Sequence, residues 1–381
     1  MDFDFSDDQE MLRDSVRKWV DKDYTFARRQ TIVKAGGFSR QAWQGLADLG
    51  LLGLAAPEAH GGMGFGPIDA MVVMEELGRG IVVEPFAAVS LVAAQLLGAR
   101  PDVASPWLRG IADGKEFVVL AHQERAARYR LAHVETTATQ VGDQWQLTGL
   151  KSVVPAGAHA SAFIVPARVR GAVDDPTGIA LFLVSAGGAG SDGVKVRGYP
   201  TQDGACAADL SLHHAVAVQL LPEGAAFEAL EHAIDIGIAA LCAEAVGAMD
   251  KLLAITVEYM NVRKQFGVAI SSFQALRHRV ADVKMQLELA RSMSYFASLK
   301  LNEPAPARRR ALAQAKLQLG TSMRFVSQQC IQLHGGIGVT EEYISSHYFK
   351  RLTVMEMTYG DTLHQLGEVS ARMQETAGVF A

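Results

Sequence analysis

Apolar residues recur at three- and four-residue steps near the start of the chain, where Leu12, Val16, Trp19 and Val20 share one face of a predicted helix. Ser6 followed by Gln9 is the capping-box pattern that would open it. The same period predicts helices from about Ser39 to Leu51, ending near Gly53, from about Pro67 to Gly78, and across Phe86–Leu97. Pro57 and the glycine-rich run 58–66 read as a loop between them. From about Glu116 to Leu221 the period falls to two. The runs 145–148, 162–165, 179–184 and 194–196 are short and bounded by Gly, Pro and Asp, as in a small barrel or sandwich. From about Glu223 the helical period returns in longer stretches. Leu312, Leu319, Met323, Val326, Cys330 and Leu333 form one stripe, and Gly335 follows as a natural helix stop. The predicted organisation is α+β: helices over 1–115, a β module over 116–222 and helices over 223–381.

A chain of 381 residues fits two or three packed modules better than one. With 49% apolar and 20% charged residues it is too apolar for disorder. No uninterrupted apolar run reaches about 18 residues; Ile234–Ala248 comes nearest and carries Asp235 and Glu244. The acidic start, Met1-Asp-Phe-Asp-Phe-Ser6, lacks the basic opening of a signal or transit peptide, so a cytoplasmic protein with no membrane partner is expected. A net charge of −5 offers nucleic acid no general attraction. Arg308-Arg309-Arg310, the densest basic cluster, is expected to form a solvated helix face. Cys206, Cys242 and Cys330 are too few and too dispersed for a disulfide framework or a structural zinc site, and read as buried apolar fillers.

Three motifs fail on context. Gly188-Ala-Gly190-Ser-Asp-Gly193 has dinucleotide-fingerprint spacing, but that mechanism needs a helix to follow. The next residues, Val194-Lys-Val196-Arg197, alternate as a strand, so the run reads as a strand-to-strand loop. His122-Gln-Glu124 lacks the second His four residues on that a zinc helix requires. His213-His214 lies in a strand-like run without Cys or carboxylate partners and reads as a surface pair. No metal site is expected.

Five phrases carry a resemblance. They are Leu49-Gly-Leu-Leu-Gly53 with Pro57 and Gly61-Gly62; Glu75-Glu-Leu-Gly-Arg79; Leu147-Thr-Gly-Leu-Lys151; Arg263-Lys-Gln-Phe-Gly267 with Phe273-Gln274; and Gln332-Leu-His-Gly-Gly336 with Gly338. Together they resemble the acyl-CoA dehydrogenases over essentially the whole chain. The resemblance implies an N-terminal helical domain, a middle β-barrel and a C-terminal four-helix bundle. It also implies FAD, held by Arg263, Gln265, Phe273, Gln274, Gln332, Leu333, His334, Gly335 and Gly336. The chemistry of those residues agrees. A guanidinium fork suits two phosphate oxygens, and glycines admit a flat or charged group where a Cβ would collide. The implied reaction removes the α-hydrogen of an acyl-CoA thioester as a proton, taken by a carboxylate, and passes the β-hydrogen as hydride to the flavin. One subunit is expected to hold the flavin ring and its neighbour the adenine and pyrophosphate end. An electron-transferring flavoprotein would accept the electrons.

The departures from that family are grouped. The barrel loop expected as Thr-Glu-Pro-Gly-Ala-Gly-Ser-Asp is Gln123-Glu-Arg-Ala-Ala-Arg-Tyr-Arg130, and the Trp-Ile-Thr triplet that covers the flavin is Val153-Val154-Pro155. The catalytic Glu is replaced by Gly360, with Asp361 one residue late, and the alternative base position falls near Gly237. Asp235 is expected on a different face. Ring contacts and base have drifted while tail contacts persist. Arg197-Gly-Tyr-Pro-Thr-Gln-Asp-Gly204, Ala240-Leu-Cys-Ala-Glu-Ala-Val-Gly247 and His347-Tyr-Phe-Lys-Arg351 further resemble the small subunit of pimeloyl-CoA-type dehydrogenases. In such two-gene enzymes, related forms of which act on steroid side chains and dicarboxylic acyl-CoAs, the larger partner carries the base and one FAD serves each heterodimer. A second acyl-CoA dehydrogenase subunit in a heterotetramer is therefore the expected partner. A complete homomeric enzyme using Asp361 or Glu356 as base, and a non-catalytic scaffold, are the alternatives. The small residues Gly237, Ala239 and Ala240 point to a roomy substrate pocket.

Overall fold

The computed structural model describes residues 5–187 and 192–377. Six α-helices open the chain: α1 (Asp7–Asp23), α2 (Phe26–Lys34), α3 (Arg40–Asp48), α4 (Pro67–Arg79), α5 (Ala94–Gly98) and α6 (Pro101–Ala112). Ser6 and Gln9 form the expected capping box on α1. The expected second helix is shorter, α3 capped by Ser39, with a separate 3₁₀ turn at Leu51–Gly53. Two helices had no clear periodic signal. In α2 only Arg29 and Ile32 are buried, and α6 carries Pro106 in its interior. The stretch predicted as one helix over Phe86–Leu97 is a seven-residue π-helix, Ala87–Ala93, running into α5.

Seven strands follow: β1 (Val118–Leu120), β2 (Thr137–Val141), β3 (Gln144–Pro155), β4 (Ala162–Arg168), β5 (Ile179–Ser185), β6 (Val194–Pro200) and β7 (Cys206–Leu221). β2 pairs with β3, β3 with β7, β7 with β5, β5 with β4, and Thr137 of β2 meets Arg168 of β4, which closes a ring. β1 lies beside β4 and β6 beside β7. Both histidines of His213-His214 are exposed on β7. Of the glycine run 188–193, residues 188–191 lie outside the described residues; β6 follows it directly.

The remaining chain forms α7 (Ala226–Val262), a hairpin of β8 (Lys264–Gln265) and β9 (Val268–Ala269), then α8 (Gln274–Lys300), α9 (Ala305–His334), α10 (Ile344–Met357) and α11 (Thr362–Ala377). The expected C-terminal helical bundle is present, with five α-helices among the described residues, α11 packing against α9. The stripe from Leu312 to Leu333 is buried throughout. No helix among the described residues is long and apolar enough to cross a membrane.

The helical modules join where α4 crosses α7, and glycine makes the crossing. A Cβ on Gly247 would lie 1.8 Å from the Glu75 carbonyl oxygen, and one on Gly78 2.0 Å from that of Glu244. The two backbones touch with no side chain between them.

The arginine cluster departs from expectation. Arg308 is buried, and its Nε donates to Asp235 Oδ2 at 2.8 Å, while Arg309 Nη1 donates to Asp235 Oδ1 at 2.9 Å. Only Arg310 is exposed. The reason is Asp235, fully buried on α7, whose charge needs partners. Cys242 and Cys330 are buried, but Cys206 is only partly so and lines a cavity.

Candidate functional site

The conspicuous sequence residues fall at opposite ends of α7. At one end the three modules enclose a cavity of about 390 Å³. Its walls are largely apolar, from Met74 and Leu77 on α4, Phe86, Ala87, Ala88 and Val92 beyond it, Leu120 on β1, Val153 and Pro155 on β3, Leu241 on α7 and Val354 on α10. Val153 has φ +53° in the irregular pairing between Lys151 and Val154, a conformation a β-branched residue rarely adopts.

The charged groups around this cavity are already partnered. Arg351 bridges Asp203 and Glu244, both at 2.6 Å. Arg29 donates to the Asp203 carbonyl at 2.6 Å and the Ile81 carbonyl at 2.9 Å. Glu84 accepts from the Tyr24 hydroxyl at 2.6 Å and the Ser39 N–H at 3.1 Å. The carboxylates and Arg29 are buried, Arg351 is partly so, and these satisfied groups tie the modules together.

The altered barrel loop is built for packing. Glu124, which matches the Glu of the family's loop, accepts from Lys151 at 2.6 Å and from the Thr136 hydroxyl at 2.7 Å. Tyr129 packs on His364 with ring centroids 5.1 Å apart, and His122 stacks near Tyr359 at 6.2 Å. Together they leave about 50 Å³ between this loop and the C-terminal helices. Burial, reinforced by the Lys151 charge, pushes the His122 imidazole down to about 4, so it is neutral at pH 7.

Neither base position has room for a carboxylate. Gly360 has φ +103°, and a Cβ there would lie 2.5 Å from His364 Cδ2 and 2.6 Å from Gln365 Nε2. A Cβ on Gly237 would lie 2.8 to 2.9 Å from the Tyr359 ring. Asp361 caps α11, its Oδ1 accepting the His364 N–H at 2.8 Å, and it is absent from the lining of either cavity. Glu356 accepts from Arg324 and the Thr362 N–H, each at 3.0 Å, and from the Thr362 hydroxyl at 2.5 Å. Asp235 is held by Arg308 and Arg309.

At the far end of α7 the other candidates converge. Arg263 ends α7, Gln265 lies in β8, Phe273 and Gln274 start α8, and Gln332–Gly336 end α9. The hairpin turns at Phe266 (φ +54°) and Gly267 (φ +82°), the backbone of a tight two-residue turn. A small cluster of Met260, Ile270 and Leu333 fastens it to α9. Leu333 is thereby a packing residue. Arg263, Gln265, Gln274 and Gln332 are exposed, and Arg263 has no ion-pair partner among the described residues.

A flavin tail fits this end. A Cβ on Gly335 or Gly336 would meet nothing within 4 Å, so the backbone is open to a flat group. His334 is buried and stacks on Tyr259 at 4.7 Å; its Nδ1–H donates to the Cys330 carbonyl at 2.8 Å, while buried Nε2 has no partner. Such an orphaned ring nitrogen is a buried acceptor in want of a donor.

The two ends of the site lie far apart along α7. Gly237 and Arg263 are 26 residues apart on one helix, about 39 Å at 1.5 Å per residue. That exceeds the reach of one extended flavin nucleotide. Tyr129, Tyr359 and His364, which fill the base region, were missed from sequence because nothing in their spacing distinguishes them from ordinary packing aromatics.

Comparison with known proteins agrees with this geometry. Residues 6–115 match the acyl-CoA dehydrogenase N-terminal domain and residues 226–374 its C-terminal domain. The chain is 28% identical to a probable acyl-CoA dehydrogenase, YngJ, of Bacillus subtilis, over 94% of this chain and 96% of that protein. A variant of the Tcur3481–Tcur3483 steroid ACAD superposes with TM-score 0.87 at 29% identity, covering 97% of this chain and 99% of that one. The ChsE4–ChsE5 complex of Mycobacterium tuberculosis superposes at 0.88 with 26% identity, covering 99% and 100%. The chain belongs to the acyl-CoA dehydrogenase family, oxidoreductases that act on CH–CH groups with FAD as cofactor.

Proposed function

We propose that this chain is the base-less subunit of a heteromeric, FAD-dependent acyl-CoA dehydrogenase that converts an acyl-CoA to its trans-2-enoyl-CoA. The observation that carries this reading is the pairing of two closed base positions, Gly237 and Gly360, with an open tail-binding end about 39 Å away. Two solved structures similar to this chain are named as two-component assemblies, one of them a steroid enzyme.

In this reading Arg263 would pair with the pyrophosphate of a flavin whose ring the partner subunit would hold. Gln265, Gln274 and Gln332 would hydrogen-bond to it, Phe273 and the Gly335–Gly336 backbone would flank its flat end, and His334 would support them from behind, stacked on Tyr259. The flavin supplies hydride acceptance when bound. The partner's carboxylate takes the α-proton. Asp361 acts only as a helix cap. The enzyme works in the cytoplasm and passes electrons to an electron-transferring flavoprotein.

The test is flavin stoichiometry. The isolated chain should purify without flavin and fail to reduce an artificial acceptor with any acyl-CoA. Mixed with its partner subunit it should yield one FAD per heterodimer. Arg263→Ala should leave the assembly intact but lower FAD occupancy at least tenfold. If the isolated chain is yellow and active, the homomeric alternative replaces this one. An assembly that keeps its FAD with Arg263→Ala reduces the chain to a scaffold.

A further inference from the structure

The small residues Ala239 and Ala240 of α7 do not border the base-end cavity. They border a separate one of about 280 Å³. On α7 its wall is His232, Ile236, Ala239 and Ala240, whose spacing follows a single helical stripe. The base-end cavity takes Gly237, Leu241 and Glu244, a stripe about 100° further round the same helix, so the two volumes lie on different faces. The start of α4, with Pro67, Ala70 and Met71, forms a second wall of the separate cavity, and Leu91 with Gln95 a third. Ser298, Leu301 and Asn302, at and just beyond the end of α8, form the fourth.

The choice of side chains keeps this space open. Ala55, Gly66, Ala70, Ala239 and Ala240 all border it, and a larger residue at any of them would close part of it. Phe65, 42% exposed, stands at the rim beside the exposed Asn302 and marks the open side. An apolar cavity of about 150 Å³ already takes up benzene. At nearly twice that volume, this one suits two fused rings.

Its polar groups set the ligand's chemistry. Among the described residues no Lys, Arg, Asp or Glu lines it, so a carboxylate or phosphate would lose its water without gaining a counter-charge. His232 donates one ring N–H to the Leu301 carbonyl. Burial holds this imidazole below its ordinary value, so at pH 7 the ring is neutral and its other nitrogen is an acceptor. An acceptor calls for a donor, which selects a hydroxyl over a ketone.

We propose that this cavity is a binding site for a compact, uncharged alcohol or phenol of roughly ten carbons, its rings packed on Met71, Leu91 and Ile236 and its hydroxyl donating to His232. None of the flavin-tail residues and neither base position lines it, so the site stands independently of the function proposed above.

The experiment is calorimetric titration of the full chain with a matched bicyclic series: 1-tetralol, 1-tetralone and tetralin-1-carboxylate. 1-Tetralol should bind saturably, one per chain, about fivefold more tightly than the ketone for one hydrogen bond gained. It should exceed the carboxylate at least tenfold. His232→Leu should erase the preference for alcohol over ketone. Ala240→Phe, which fills the cavity, should weaken 1-tetralol at least tenfold while the FAD content of the assembled enzyme stays unchanged. Ala70→Leu serves the same end if Ala240→Phe does not fold. Undiminished 1-tetralol binding in a folded, filled variant would overturn the site, and a carboxylate that binds as tightly would overturn the ligand class. Displacement of 1-tetralol by decanoyl-CoA, one for one, would overturn it too, because the cavity would then belong to the acyl-CoA site.

Discussion

His122 shows how one burial sets a pH response. Its folded pKa of about 4 lies below the ordinary histidine value of 6.5, so the unfolded chain binds the extra proton between those values. The contribution is intact above about pH 6.5 and is lost as pH falls towards 4. Chemical denaturation of wild type and His122→Gln should therefore give a stability difference that is flat above pH 6.5 and swings against wild type below it. A difference that stays constant from pH 7 to 4.5 would show that the ring is solvated. Gly360 makes the complementary point. Gly360→Glu restores the family's letter but not its function, because φ +103° and the contacts to His364 and Gln365 oppose any side chain there. The expected result is a loss of about 1–3 kcal/mol of stability and no gain of activity in the isolated chain. At this scale the sequence was legible where chemistry is unusual, as at Arg263 and Gly360. It was illegible where a side chain's role depends on what packs across it. Arg308 looked like a surface charge because its partner, Asp235, lies 73 residues earlier in the chain.

The elements were legible in proportion to their periodicity. α1 and the stripe of α9 were visible because a face of each is buried, α4 because it is apolar and buried nearly all round from Met71 to Gly78, whereas α2 buries too little to leave a stripe. A π-helix cannot be told from an α-helix by a three-to-four step over seven residues, so Ala87–Ala93 read as ordinary helix. The crossing of α4 and α7 gives a sharp test. Gly247→Ala places a methyl 1.8 Å from the Glu75 carbonyl oxygen, which only a shift of one helix can relieve. A loss of about 2–4 kcal/mol, read as a lowered midpoint in urea, is expected. The β8–β9 hairpin should behave oppositely. Phe266 is 92% exposed, so Phe266→Ser should leave the stability of the isolated chain within about 0.5 kcal/mol of wild type. Any effect should appear in assembly, measured by analytical ultracentrifugation with the partner subunit.

Across the whole molecule, three modules meet at a buried charge cluster. Arg351 on α10 holds Asp203 between β6 and β7 and Glu244 on α7, and Arg29 on α2 reaches the Asp203 backbone. Removing the cation would strand two buried carboxylates. Arg351→Met should cost about 3–5 kcal/mol in thermal or chemical unfolding, more than either Asp203→Asn or Glu244→Gln alone. The order helices, barrel, helices could be read from the change of period along the chain. Which cavity lies on which side of α7 could not, because that depends on the rotation of a 37-residue helix against the elements packed around it.

That rod has a further consequence. Adding or deleting one residue anywhere between Gly237 and Arg263 would swing the guanidinium about 100° around the helix axis. Substitutions can blunt one extremity and spare the other, but a change of length corrupts the surviving extremity at once. A one-residue insertion or deletion in this stretch would therefore misplace Arg263 relative to Gly237 in a way that a substitution would not.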